Sequence, residues 1–354
     1  GMYEEWKIVK REAPILGNDQ LIENIWKMKR EDSPYDIISL HKVNLIGGGN
    51  DAVLILPGTW SSGEQLVTIS WNGVHYTIPD YRKSIVLYLA RNGFNVYTID
   101  YRTHYVPPFL KDRQLSFTAN WGWSTWISDI KEVVSFIKRD SGQERIYLAG
   151  ESFGGIAALN YSSLYWKNDI KGLILLDGGP TKHGIRPKFY TPEVNSIEEM
   201  EAKGIYVIPS RGGPNNPIWS YALANPDMPS PDPKYKSISD FLMDSLYVTG
   251  SANPYDYPYS KKEDMFPILA SFDPYWPYRL SLERDLKFDY EGILVPTIAF
   301  VSERFGIQIF DSKILPSNSE IILLKGYGHL DVYTGENSEK DVNSVVLKWL
   351  SQQR

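Results

Sequence analysis

The sequence contains no cysteine, which excludes disulfides, a thiolate nucleophile and any Cys-ligated zinc site. Its five histidines, His41, His75, His104, His183 and His329, show no His-x-x-x-His spacing, so a helix-borne zinc hydrolase site is not expected. Any histidine acting as a general base has to be one of these five. No stretch approaches the about eighteen unbroken apolar residues of a membrane-spanning helix, so no stable membrane insertion is expected. The net charge of −6, without any Lys/Arg run, argues against nucleic acid as a partner. The opening residues Met2-Tyr3-Glu4-Glu5-Trp6-Lys7 lack the apolar core of a signal peptide, and Gly1 ahead of them reads as an expression remnant. The expected compartment is the cytoplasm. There is no internal repeat and no low-complexity tract.

What the chain does have is length and apolar content enough for a sizeable core, at 354 residues and 42% hydrophobic. It also has one stretch around which the rest can be ordered. Ile146-Tyr147-Leu148-Ala149 is a short apolar run bounded upstream by Ser141-Gly142, and it leads into Gly150-Glu151-Ser152-Phe153-Gly154-Gly155 and then Ile156-Ala157-Ala158-Leu159. The pattern predicts a buried strand, a sharp turn and a helix. A serine at such a turn sits on strained backbone with its hydroxyl exposed, beside the unpaired N–H groups of a helix N-terminus that favour developing negative charge. Gly-x-Ser-x-Gly alone is a weak signal. Strand before and helix after make Ser152 a candidate nucleophile.

Other segments alternate in the same manner. Strands are expected at 36–45, 52–56, 94–100, 172–176, 293–301 and 320–324, with helices near 81–90 and 126–137 and a closing helix through Val342–Leu350. Alternating strand and helix implies a mostly parallel sheet with helices on both faces. The pair 36–45 and 52–56, joined by Gly47-Gly48-Gly49-Asn50, reads as an edge hairpin, and Leu21–Trp26 as an amphipathic helix in an N-terminal extension of residues 1–35. Residues 181–290 hold 14 of the 23 prolines. So many cannot sit inside a regular parallel sheet, which makes this segment an inserted lobe between core segments 36–180 and 291–354. Its aromatic residues, among them Tyr190, Trp219, Tyr221, Phe241, Tyr255, Tyr257, Tyr259, Tyr275, Trp276 and Tyr278, offer faces for an apolar chain, most of them serving as the lobe's own core. The run Glu198-Glu199-Met200-Glu201 reads as a solvated helix face.

The elbow, the order serine then acid then histidine, and Gly326-Tyr327-Gly328-His329-Leu330-Asp331 after the last expected strand together resemble the α/β-hydrolase family, the terminal run being similar to that of its acid-lipase branch. The resemblance covers most of residues 36–354 and implies an α/β-hydrolase fold with an inserted cap. It implies further that His329 is the general base of a serine hydrolase acting on small-molecule esters or lipids through an acyl-serine intermediate, without metal or cofactor. The oxyanion hole would be the N–H of Phe153 and, from the loop Pro57-Gly58-Thr59, the N–H of Thr59. The acid stays open. In the commonest family pattern it follows the family's seventh strand, where Phe305 stands here; the alternatives are Asp177, at the end of Lys171–Leu176, and Glu303, with Asp331 or Asp311 behind them. The rival readings are a proline-aminopeptidase-like peptidase and a binding protein that keeps the fold without turnover.

Overall fold

The computed structural model describes residues 5–185, 192–245, 257–283 and 286–353. Its centre is a nine-stranded sheet of β1 (Lys7–Ile15), β2 (Asn18–Lys29), β3 (Ile37–Leu45), β4 (Ala52–Leu56), β5 (Asn95–Asp100), β6 (Ile146–Glu151), β7 (Ile170–Leu176), β8 (Thr297–Ser302) and β9 (Ser319–Leu324). The spatial order is β1-β2-β3-β5-β4-β6-β7-β8-β9. Strands β1, β2, β3 and β5 pair antiparallel in turn, and every pairing from β5 onward is parallel. The middle strands β4, β5 and β6 are buried along their whole length, as their unbroken apolar runs require of strands covered on both faces. The edges differ. Strand β1 exposes Lys7, Lys10, Arg11 and Glu12 and carries register shifts, features that keep an open edge from pairing with another chain.

Two of the expectations fail here. Leu21–Trp26 belongs to strand β2, not to a helix; its spacing fits a short helix as well as a strand, and pairing on both sides with β1 and β3 decides the matter. Nor do β3 and β4 form an edge hairpin, because β5 inserts between them and pairs with both. The glycine turn thus changes strand position in the sheet rather than closing a hairpin.

Helices α1 (Gly63–Thr68), α2 (Ile85–Arg91), α3 (Trp123–Ser141), α4 (Phe153–Asp169) and α5 (Ser344–Gln352) cover the sheet. In α3, Trp126, Ile127, Ile130, Val133, Val134 and Ile137 recur every three or four residues and are all buried, the stripe that lays a helix on a sheet. They join the larger apolar layer with the residues of α4 and the lobe. The opposite layer holds α2 and α5.

The inserted lobe contributes helices Ile197–Lys203, Ile218–Ala224, Ile238–Ser245 and Lys262–Ala270 and a ribbon pairing Val207–Pro209 with Tyr275–Pro277. Its limits, like the other domain boundaries, remain our proposal. Trp219, Tyr257, Tyr275 and Tyr278 are buried in the apolar layer, Tyr221 and Tyr259 are exposed, and Tyr190 and Tyr255 lie outside the described residues. The lobe is bolted down at several points. Trp60 Nε1 donates to Ile208 O at 3.0 Å, Gln65 Nε2 to Ile268 O at 2.8 Å, and Ser260 Oγ to Asp331 Oδ1 at 2.6 Å. No described helix is long and apolar enough to cross a membrane.

Candidate active site

Ser152 follows the last residue of β6 and caps α4 with φ +53° and ψ −120°, a strained conformation for a residue with a side chain. Tight packing on both sides enforces it. A Cβ on Gly154 would lie 2.0 Å from Leu56 O, so only glycine lets the first turn of α4 approach β4. The Ser152 N–H donates to Leu176 O at 3.0 Å, tying the turn to the end of β7.

The end of β7 is also where Asp177 stands, at φ +48° and fully buried. Ser302 holds its carboxylate with two hydrogen bonds, the N–H donating to Oδ1 at 2.8 Å and the hydroxyl to Oδ2 at 2.6 Å. His329, in the loop after β9, completes the set. Its Nδ1 lies 2.6 Å from Asp177 Oδ2 and its Nε2 3.0 Å from Ser152 Oγ. Phe305, at the place where the commonest family pattern has its acid, packs on the imidazole with ring centroids 4.3 Å apart. Tyr333 meets the ring edge-on and donates from its hydroxyl to Leu176 O at 2.8 Å.

The other candidate carboxylates point elsewhere. Glu303 Oε1 accepts from Gly326 N at 2.9 Å, and Asp311 accepts from Lys313 N at 3.1 Å. Asp331 accepts from Gly328 N at 2.9 Å and from Ser260 Oγ, which ties the histidine loop to the lobe. Among the other histidines, His41 and His104 sit in a separate buried charge network. His75 lies on a two-residue strand, and His183 is exposed at the rim of the cavity.

Thr59 and Phe153, the expected oxyanion donors, both line the cavity beside Ser152. Their loops are fixed. Phe153 opens α4, whose first N–H groups have no intrahelical acceptor. On the other side Tyr101 donates from its hydroxyl to Pro57 O at 2.7 Å, and Trp60, at φ +61°, accepts at its carbonyl from Asp273 N at 2.7 Å. Glu151, the variable residue before the serine, is buried, and its carboxylate accepts from Gly58 N at 3.4 Å; burial raises its pKa to about 7. The sequence reading did not single out Glu151, Ser302 or Gly306. Glu151 was visible inside the motif. The other two had no local signal.

Gly306 matters through contact, since a Cβ there would lie 1.9 Å from Asp177 Oδ1. Gly306→Ala is therefore expected to displace the carboxylate from His329 and lower kcat by about 10- to 100-fold. Steady-state kinetics on p-nitrophenyl butyrate checks this, and an unchanged kcat would mean that Asp177 does not orient the imidazole.

Above Ser152 lies a cavity of about 1150 Å³, walled largely by apolar side chains including Trp60, Trp123, Phe153, Trp276 and Phe310. Of the lobe's expected aromatic faces Trp276 reaches it. The acidic segment 198–201 does not line it; Glu199 pairs with Lys203 at 2.7 Å on the lobe's surface. Among the described residues no three His, Asp or Glu side chains are grouped to hold a metal ion.

The serine aminopeptidase S33 family model matches residues 65–183, the segment that carries the elbow. No curated protein matches the sequence. A crystal structure of a Sulfolobus solfataricus protein provisionally assigned as a lipase is 99% identical, with a TM-score of 0.95 over 99% of this chain and 100% of that one. Carboxylesterase structure from the ammonia-oxidizing thaumarchaeon Nitrososphaera gargenis aligns with a TM-score of 0.50 at 13% identity, over 91% of this chain and 98% of that one. At that identity the likeness is one of fold.

Proposed function

The chain belongs to the α/β-hydrolase superfamily, with a serine esterase/lipase-like fold, and on that premise we propose that Ser152, His329 and Asp177 form the catalytic triad of a carboxylic ester hydrolase. The observation that carries this reading is the unbroken hydrogen-bond chain from Ser152 Oγ through the imidazole to a buried, doubly anchored carboxylate, at the floor of an apolar cavity.

Each step follows from that chain. The Ser152 hydroxyl donates to His329 Nε2, so the proton leaves for the imidazole as Oγ attacks the ester carbonyl. Asp177 accepts from Nδ1–H, holding the tautomer that keeps Nε2 free and stabilising the imidazolium that forms. The tetrahedral oxyanion faces the N–H groups of Phe153 and Thr59, each such donor being worth about 3–4 kcal/mol. Collapse breaks the bond to the alcohol, which leaves with the proton from Nε2. Water, activated by the same imidazole, then attacks the acyl-serine, releasing the acid and restoring Ser152. Walling by aromatic side chains keeps bulk water from weakening these electrostatic contacts.

The substrate is a small-molecule ester or lipid. A peptidase reading takes support from the aminopeptidase family match, but a free amine would need cavity carboxylates. Of the two acidic residues that line the cavity among the described residues, Glu151 faces Gly58 N and Glu283 bonds Trp123 N and Arg279. We place the enzyme in the cytoplasm, in keeping with a sequence that has no cysteine for an oxidising compartment to pair.

Hydrolysis of p-nitrophenyl esters from acetate to palmitate tests the reading, together with labelling by a fluorophosphonate probe. Turnover with an optimum at medium chain length is expected. Cleavage of aminoacyl amides in preference to every ester would establish the peptidase instead, and an intact fold that neither labels nor turns over would establish a binding protein.

A further inference from the structure

The lining of the cavity continues along α4, and the far end of this branch carries a polar side chain. Phe153, Ile156 and Asn160 lie three and four residues apart, on one face of the helix, and all three line the cavity. With a rise of about 1.5 Å per residue, Asn160 stands roughly 12 Å along the helix from Ser152. Trp123 stacks on Phe153 with centroids 5.2 Å apart, and Phe288 meets Trp123 edge-on, giving the branch aromatic walls. At its end the Tyr290 hydroxyl donates to Asn160 Oδ1 at 2.6 Å. The same amide's Nδ2 has no hydrogen-bond partner among the described residues, and Asn160, though only 2% exposed, lines the cavity. A donor is thus held by Tyr290 at the lining of the cavity, beside the apolar Phe153, Ile156, Trp123 and Phe288 and in a wall that also includes Ser281, Glu283 and Lys287.

Tyr290 uses only the Oδ1 acceptor of Asn160, so that bond accounts for half of this asparagine and leaves its donor unexplained. Asparagine is a poor helix former next to Ala157, Ala158 and Leu159, and a leucine would pack against Ile156 without burying a polar group. The direction of the branch identifies what enters it. His329 must return its proton to the leaving alcohol, so the alcohol lies on the His329 side of Ser152 and the acyl chain on the other, along α4. We propose that Asn160 is a specificity-determining residue, whose Nδ2 receives an oxygen carried near the distal end of a medium-length acyl chain. The preferred substrates are then esters of oxygenated fatty acids, with a keto or hydroxyl group roughly eight to ten carbons from the scissile carbonyl. This rests on the ester-hydrolase reading.

Paired p-nitrophenyl esters test it, one of each pair carrying a plain acyl chain and the other a penultimate keto group, from about six to about fourteen carbons. A ketone can only accept, so it reads the Nδ2 donor alone. The keto-to-plain ratio of kcat/KM is expected to peak at about 10- to 100-fold at acyl lengths of about ten to twelve carbons, where the penultimate keto group reaches Asn160, and to approach one for shorter chains. Asn160→Leu should abolish the peak. Asn160→Asp, nearly isosteric and without the N–H, should do the same, and keeps the test open if the leucine variant does not fold. A ratio near one at every length in the wild type, or a peak that survives in both variants, overturns the subsite while leaving the hydrolase standing. Absence of turnover on any ester would take down both.

Discussion

Ser152→Ala is expected to lower kcat for ester hydrolysis by about a millionfold, and Asp177→Asn by about ten-thousandfold, with the fold retained in both. The first removes the attacking oxygen. The second acts through the tautomer, and the surroundings of Asp177 dictate how. Ser302 N–H points at Oδ1, so the asparagine oxygen takes that place and its amide group falls where Oδ2 stood, facing both the Ser302 hydroxyl and His329 Nδ1. An amide N–H there donates to Nδ1, the ring proton moves to Nε2, and the nitrogen facing Ser152 can no longer take a proton. Glu303→Gln is the control. Its carboxylate faces Gly326 N, on the other side of the histidine loop, so kcat should stay within a few-fold of wild type. Rates on p-nitrophenyl butyrate, with fluorophosphonate labelling of the asparagine variant, separate the cases. Equal losses in Asp177→Asn and Glu303→Gln would overturn the assignment of the acid, and turnover surviving in Ser152→Ala would overturn the nucleophile.

Why the serine is legible in the sequence and the acid is not follows from where their constraints come from. The elbow's geometry is imposed by neighbours in the chain: an apolar strand, small residues at the turn and a helix start within ten residues. Asp177, the acid we propose, is anchored by Ser302 and abutted by Gly306, which arrive from β8 and its loop more than a hundred residues later, after the lobe. No spacing records that. The same distinction runs through the fold. Central strands announce themselves as apolar runs, whereas β2 needed its partners to decide between helix and strand, and the position of β5 between β3 and β4 is a matter of pairing alone. Proline density marks the lobe as foreign to the sheet. It does not say which of the lobe's rings line the cavity; Trp276 does so from the ribbon 275–277, edge-on to Phe153, together with Phe272, Phe288 and Tyr290.

The largest stability effect is expected at His41, which takes no part in the proposed chemistry. Both of its ring nitrogens face carboxylates, Nδ1 with Glu23 Oε2 at 2.8 Å and Nε2 with Asp100 Oδ2 at 2.6 Å, and the residue is buried. Only the doubly protonated ring satisfies both. Burial by itself would depress the imidazole, but Asp100 and Glu23 together outweigh it and raise the pKa from 6.5 to about 10. For Asp100, burial raises the pKa, and His41 and His104 overcome it, leaving the carboxyl below its ordinary value of 3.8. Around the pair stand Lys10 beside Glu23, the Ser39 hydroxyl and the Glu64 N–H on Asp100, and Tyr105 on Ser39. The raised histidine contributes stability that is complete below about pH 6.5 and is lost as pH rises through 10, and the lowered aspartate contributes stability above 3.8 that is lost in acid. His41→Ala leaves two buried carboxylates without their cation and should cost about 3–5 kcal/mol at pH 6. By pH 10 the wild type has itself begun to lose that proton. The gap between the two urea midpoints should therefore shrink between pH 6 and pH 10, and a gap of equal size at both would mean that the native imidazole is neutral and acts by packing alone.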